Sequence, residues 1–140
     1  MKQKADTLDF RIMEELDRDS RTPNVLIARK LGMSEGAVRH RIGRLAAGGF
    51  IKKFTIEFGV KTGAKAFILV STVPQTPPHA ISEFLKKMPE VRSFFHTSGE
   101  WDLVVRVFTE NPGLLNQAVN RIRSQKWVLA TESLVVLDVG

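Results

Sequence analysis

The stretch Arg29–Lys53, RKLGMSEGAVRHRIGRLAAGGFIKK, decides the reading of this chain. Seven basic residues (Arg29, Lys30, Arg39, Arg41, Arg44, Lys52 and Lys53) stand against one acid, Glu35. Their excess equals the formal net charge of the whole protein, +6, so the rest of the chain is close to neutral. Charge concentrated in this way is a local device for meeting a polyanion. The helical punctuation around it points to DNA.

Working outward, Gly32 suits a left-handed helix C-cap and Ser34 an N-cap. The helix after Ser34 buries Val38, Ile42 and Leu45 at i, i+4 and i+7. The helix before Gly32 is expected to start at Thr22-Pro23, with Thr22 as cap and proline at the first helical position. It turns Ile27 and Leu31 inward, with small Ala28 allowing close approach. Upstream, Asp6 or Thr7 caps a first helix with Leu8, Ile12, Met13 and Leu16 at helical spacing. Two helices joined by a short glycine turn make a helix-turn-helix. Downstream, Phe54, Ile56 and Phe58 alternate with Lys53, Thr55 and Glu57, which predicts a strand serving as wing or tether.

The third helix then reads as a recognition helix. Opposite its buried stripe lie Gly36, His40, Gly43, Arg44 and Ala47, with Arg39 at the edge. Glycine and alanine let the backbone approach a groove wall. Arg39 and His40 can donate to base edges, while Arg44, Lys52 and Lys53 suit phosphates. With the cap region, the expected DNA-binding residues are Ser34, Glu35, Gly36, Arg39, His40, Arg44, Lys52 and Lys53. Arg41 lies beside the buried stripe and is expected to pair with an acid of the first helix, such as Glu14 or Asp17. The bland alternative is a solvated basic face on a structural helix.

Lys61-Thr62-Gly63 reads as a short hinge. Beyond it the pattern predicts strand 66–73, helix 78–88, strand 91–98, strand 101–108, helix 111–123 and strand 128–139. Strand–helix–strand thus occurs twice at similar length, the ferredoxin-like βαββαβ order. The strands are apolar on both faces: Leu103, Val105 and Val107 alternate with Val104 and Phe108. An antiparallel sheet with one wet face shows clean alternation instead. The uncovered face is therefore expected to be buried by another subunit, giving a dimer whose two recognition helices read two half-sites. The expected architecture is α+β. A winged-helix-like helix-turn-helix DNA-binding domain spans 1–52, a tether strand and hinge 53–65, and a βαββαβ ligand-binding and oligomerisation domain 66–140.

The polar constellation of the second domain is Ser98-Gly99-Glu100-Trp101-Asp102, between its central strands. Gly99 permits a tight turn with exposed backbone, Asp102 can hold an ammonium group and Trp101 can wall a small pocket. Thr131 and Ser133, two apart on the last strand, place hydroxyls on one face. Gly99, Glu100, Trp101, Asp102, Thr131 and Ser133 form a candidate site for a zwitterionic amino acid. An ordinary hairpin with a turn aspartate is the alternative.

A helix-turn-helix with LGMSEGAVRHRIGRLAAGGFI, a tether strand, then βαββαβ with SGEWDLVVRV resembles the Lrp/AsnC family, the feast/famine transcription regulators. The resemblance covers essentially the whole chain. It implies dimers that assemble further, commonly into octamers, with amino acids bound between subunits near the glycine–aromatic–aspartate turn. By that likeness Gly99, Trp101 and Asp102 occupy the effector turn, and Thr131 and Ser133 match a hydroxyl-rich last strand.

Other classes are disfavoured. There is no cysteine, so disulfides and thiolate-held zinc are excluded, in keeping with a reducing cytoplasm. The opening MKQKADTLDF lacks a signal-type apolar run, and no stretch reaches the ~18 apolar residues of a membrane span. His40, His79 and His96 are not spaced as metal ligands, and no serine or cysteine nucleophile is framed by a base. No cofactor or metal is expected, and no enzyme. One enzyme alternative comes from the family: sirohaem decarboxylases are similar to it, and Arg92 and His96 could be cast around a tetrapyrrole carboxylate. An effector-independent architectural DNA-binding protein is the remaining alternative.

Overall fold

The computed structural model describes residues 4–57 and 63–139. The chain divides into two compact units, Met1–Glu57 and Phe58–Gly140.

The first unit is three helices: α1 (Thr7–Arg18), α2 (Asn24–Leu31) and α3 (Glu35–Ala47). Asp6 caps α1 in a capping box with Asp9, each carboxylate accepting the other's backbone N–H. The stripe Asp9, Ile12, Leu16 faces inward. Ile12, Leu16, Ile27, Ala28 and Val38 form the core, with Leu31, Met33, Ile42 and Ile51 packed around it. Gly32 takes φ 66° at the end of α2, a left-handed conformation that costs glycine little. The Ser34 hydroxyl accepts the Ala37 N–H at 3.1 Å and starts α3.

Two expectations are corrected here. The second helix begins one residue later than its proline suggested. Pro23 is the cap position, its carbonyl accepting the N–H groups of Leu26 and Ile27. Thr22 turns its hydroxyl to the Asp19 carbonyl instead. The tether strand is also not seen: residues 52–57 are assigned to no strand, and Phe54 and Ile56 are exposed. Alternation supplies a strand's period, but a strand also needs a neighbouring edge, and none of the described strands pairs with this segment. Phe58, Lys61 and Thr62 lie outside the described residues.

The second unit runs β1 (Ala64–Thr72), α4 (Pro78–Lys86), β2 (Val91–His96), β3 (Leu103–Thr109), α5 (Pro112–Arg123) and β4 (Val128–Val135). The sheet is antiparallel in the order β2-β3-β1-β4. This is the expected ferredoxin-like topology. Ala66, Ile68 and Val70 of β1 and Leu103, Val105 and Val107 of β3 point to one side. They meet Ile81 and Leu85 of α4 and Leu115, Ala118, Val119 and Ile122 of α5. Asn111 caps α5, its side chain accepting the Leu114 N–H at 2.9 Å. The sheet's other side carries Phe67, Leu69, Val104 and Phe108. Neither α4 nor α5 packs on that side, and its apolar residues are partly or fully exposed.

Candidate DNA interface and effector turn

The outer face of α3 exposes most of the residues expected there. Glu35, Gly36, Arg39, His40 and Gly43 are exposed, as are Lys52 and Lys53 beyond the helix. Arg39 pairs with Glu35 one turn earlier. That pair holds the guanidinium loosely along the helix surface, where an exposed i, i+4 contact adds only about 0.3–0.5 kcal/mol and yields readily to a stronger anion.

What fixes α3 against α1 is a charge cluster built on Asp9, whose side chain is fully buried. Arg41 reaches one carboxylate oxygen at 2.7 Å and Arg44 the other at 2.6 Å. Arg41 also pairs with Asp6 at 2.7 Å. Arg41 thus pairs with the first helix as expected, but with Asp6 and Asp9 rather than Glu14 or Asp17, which lie on the exposed side of α1. Burial pushes the Asp9 carboxyl upward, but the Asp6 N–H and the two guanidiniums outweigh it, and the net shift is downward. The Arg41 bond holds Asp6 below its ordinary value, and the two aspartates raise Arg41. Arg44, expected at phosphates, is only partly exposed and is oriented by Asp9.

Sequence reasoning did not find Asp9 as the anchor. Its signal was available: an acid in the apolar stripe of α1, three and seven residues before Ile12 and Leu16. A second inter-helix pair, Lys30 with Glu15, ties α2 to α1 and lowers the Glu15 carboxyl.

In the second unit, Gly99 has φ 136° and open space about its Cα. The turn is closed by Thr97, whose N–H donates to the Asp102 carbonyl at 2.9 Å and whose hydroxyl donates to the Trp101 carbonyl at 2.6 Å. Asp102 crosses to β1. Its N–H donates to Val70, and its Oδ2 accepts the Thr72 N–H at 2.7 Å and the Thr72 hydroxyl at 3.1 Å. Thr72 is a second residue the sequence reading missed. Oδ1 of Asp102 has no hydrogen bond among the described residues.

Thr131 stands opposite Val70 and Ser133 opposite Ile68, so both lie on the helix-covered side. The Thr131 hydroxyl accepts from Arg123 Nε at 3.1 Å. Thr131 and Asp102 thus flank Val70 from opposite sides, on either edge of one strand. Among the described residues no cluster could hold a metal ion. Arg92 lies over the Phe108 ring, and His96 packs edge-on against Phe94.

The chain matches two family models. Residues 6–52 match a winged helix-turn-helix DNA-binding domain. Residues 65–139 match the Lrp/AsnC ligand binding domain. It is 38% identical to the HTH-type transcriptional regulator LysM of Saccharolobus solfataricus, covering 94% of this chain and 93% of that protein. It is 32% identical to the HTH-type transcriptional regulator FL11 of Pyrococcus furiosus, over 96% and 90% of the two chains. It shares the fold of the transcriptional regulator NMB0573 of Neisseria meningitidis, solved as a complex with L-Met. There the TM-score is 0.70 at 24% identity, over 96% and 91% of the chains. These relatives set aside the decarboxylase alternative. The chain belongs to the Lrp/AsnC family and is a DNA-binding transcriptional regulator rather than an enzyme.

Proposed function

We propose that this regulator reads a palindromic operator through α3, as a homodimer that assembles further to octamers, under the control of an amino acid bound near Asp102. It works in the cytoplasm, where the DNA is. The observation that carries the DNA reading is the exposed Arg39–His40 face of a helix locked onto its domain by the buried Asp9 cluster. A preorganised helix presents donors at fixed positions, which base-edge recognition requires. Ser34, Glu35 and Gly36 bring the N-terminal turn of α3 to the groove, and Arg44, Lys52 and Lys53 meet phosphates. Support for the dimer comes from the uncovered apolar side of the sheet.

For the effector, the support is chemical. Thr72 holds Asp102 through Oδ2 and leaves Oδ1 for an ammonium group. Gly99 and Glu100 offer backbone N–H groups to a carboxylate, and Trp101 lies beside them. Thr131 and Ser133 add hydroxyls from a neighbouring strand. The relative NMB0573 was solved with L-Met, which makes α-amino acids the ligand class to test.

Footprinting tests the DNA reading: a positioned, symmetric site is expected, whereas coating that grows with DNA length would point to an architectural role. Calorimetry with the twenty amino acids tests the effector. Binding to wild type and none to Asp102→Ala is expected. No binding at millimolar concentration, or equal binding by the variant, overturns the effector site.

A further inference from the structure

Charged residues interrupt the uncovered apolar side of the sheet. Arg106 stands mid-strand on β3, between Phe67 of β1 and Ser93 of β2. Its Nε is buried without a hydrogen-bond partner. Among the described residues its guanidinium makes no ion pair or hydrogen bond, so its charge is left for a carboxylate from outside the chain to meet. Glu132 stands on β4 opposite Leu69, exposed, with no ion pair or hydrogen bond among the described residues. It is the one acid that β1–β4 place on this side. Of the other cations on this side, Lys65 of β1 is buried within the chain and Arg92 lies over the Phe108 ring.

We propose that Arg106 and Glu132 form reciprocal salt bridges between two copies of this chain and so fix the register in which their sheets join. The inference rests on the dimer reading above and assigns the residues that specify it. In a two-fold contact, a pairing of Arg106 with the partner's Glu132 brings its own mirror, Glu132 with the partner's Arg106. A single docking geometry satisfies both charges of both copies, in two equivalent bridges. Arg106 and Glu132 sit on β3 and β4, the two neighbours of β1. Two ladder spacings separate those strands, roughly 10 Å. The axis that exchanges the two residues therefore crosses β1 between Phe67 and Leu69, and these apolar residues meet their own counterparts. Burial of the apolar residues drives association. The charges select the register, because a shifted docking sets the Arg106 guanidinium against phenyl rings or against another cation.

The test uses full-length Arg106→Glu and Glu132→Arg chains, measured by sedimentation equilibrium and light scattering. Each variant alone faces like charges across the axis and associates at least about ten-fold more weakly than wild type. Mixed in equal amounts, the two have opposite charges at both contacts and recover wild-type association as mixed pairs. The double variant recovers it alone. Circular dichroism and fluorescence of Trp101 and Trp127 verify folding. Singles that associate like wild type, or a mixture no tighter than its components, refute the pairing while leaving the dimer intact. A wild type that is monomeric at micromolar concentration overturns the dimer reading and the pairing with it. If a charge reversal prevents folding, Arg106→Gln, Glu132→Gln and their combination decide: coupled effects on association support the pair, and additive effects refute it.

Discussion

Replacing Asp9 by alanine should melt the N-terminal unit and leave the C-terminal unit standing. Asp9 is fully buried and accepts three hydrogen bonds, from Arg41, Arg44 and the Asp6 N–H. Removing one member of a buried ion cluster costs about 3–5 kcal/mol, because the remaining charges lose their partner. Two features place this case at the lower end. Arg41 keeps Asp6, and the Arg44 side chain is 30% exposed and can turn to water. A loss of about 3 kcal/mol shifts the melting of a small domain by roughly 12–24 °C. The protein supplies its own assay, since its two tryptophans, Trp101 and Trp127, both lie in the C-terminal unit. Far-UV circular dichroism follows all five helices, whereas tryptophan fluorescence follows the C-terminal unit. In Asp9→Ala the dichroism should show an early transition that fluorescence does not, and DNA affinity should fall although no DNA-facing residue has changed. Coincident dichroism melts for wild type and variant would refute the clamp.

Acid should act on the same unit. The Asp6, Asp9 and Glu15 carboxyls are all lowered on folding, so their contribution is fully present above the unfolded values and is lost as pH falls through the lower, folded ones. The N-terminal unit should be insensitive to pH between about 5 and 8 and weaken below about 4, with dichroism changing before fluorescence. Arg39→Ala should weaken operator binding by about 1–3 kcal/mol per lost base contact, while Lys53→Ala weakens all sequences alike and flattens the salt dependence, as read by fluorescence anisotropy. Ile68→Ala, at a fully buried core position, should cost the C-terminal unit about 2–5 kcal/mol in urea unfolding followed by tryptophan. Thr72→Val should loosen the Asp102 turn and change amino-acid affinity in calorimetry without changing operator affinity in the absence of effector.

The fold was legible wherever the determinant is local. Gly32 and Ser34 sit at helix ends because their backbone or side-chain chemistry acts within four residues, and both were found in place. The two βαβ halves were legible from apolar period alone. Residues 52–57 carry a strand's alternation, but no described strand offers them an edge, and they are assigned to no strand. Pro23 was misplaced by one position because proline is compatible with both the cap and the first helical turn.

The binding surface was legible in part for the same reason. Exposure of Arg39 and His40 follows from the angle they make with Val38, Ile42 and Leu45 around one helix. The partners of Arg41 and Arg44 do not, since they depend on which side of α1 faces α3. Glu14 and Asp17 lie on the exposed side of α1, and only Asp9 shares the inward stripe with Ile12 and Leu16. An acid in an apolar stripe is the readable sign of such an anchor, because burial is tolerable only if cations arrive from another element. Asp102 carries the converse lesson. Its position in the turn is visible in sequence, but its Oδ2 is held by Thr72, thirty residues earlier. The same carboxylate therefore braces the β1–β3 junction and keeps one oxygen open. A ligand that engaged Oδ1 would pull on a group tied directly to the sheet, and through it on Val70 of the inner strand β1. That is a physical link from the proposed effector turn to the sheet on whose far side the subunits are proposed to meet.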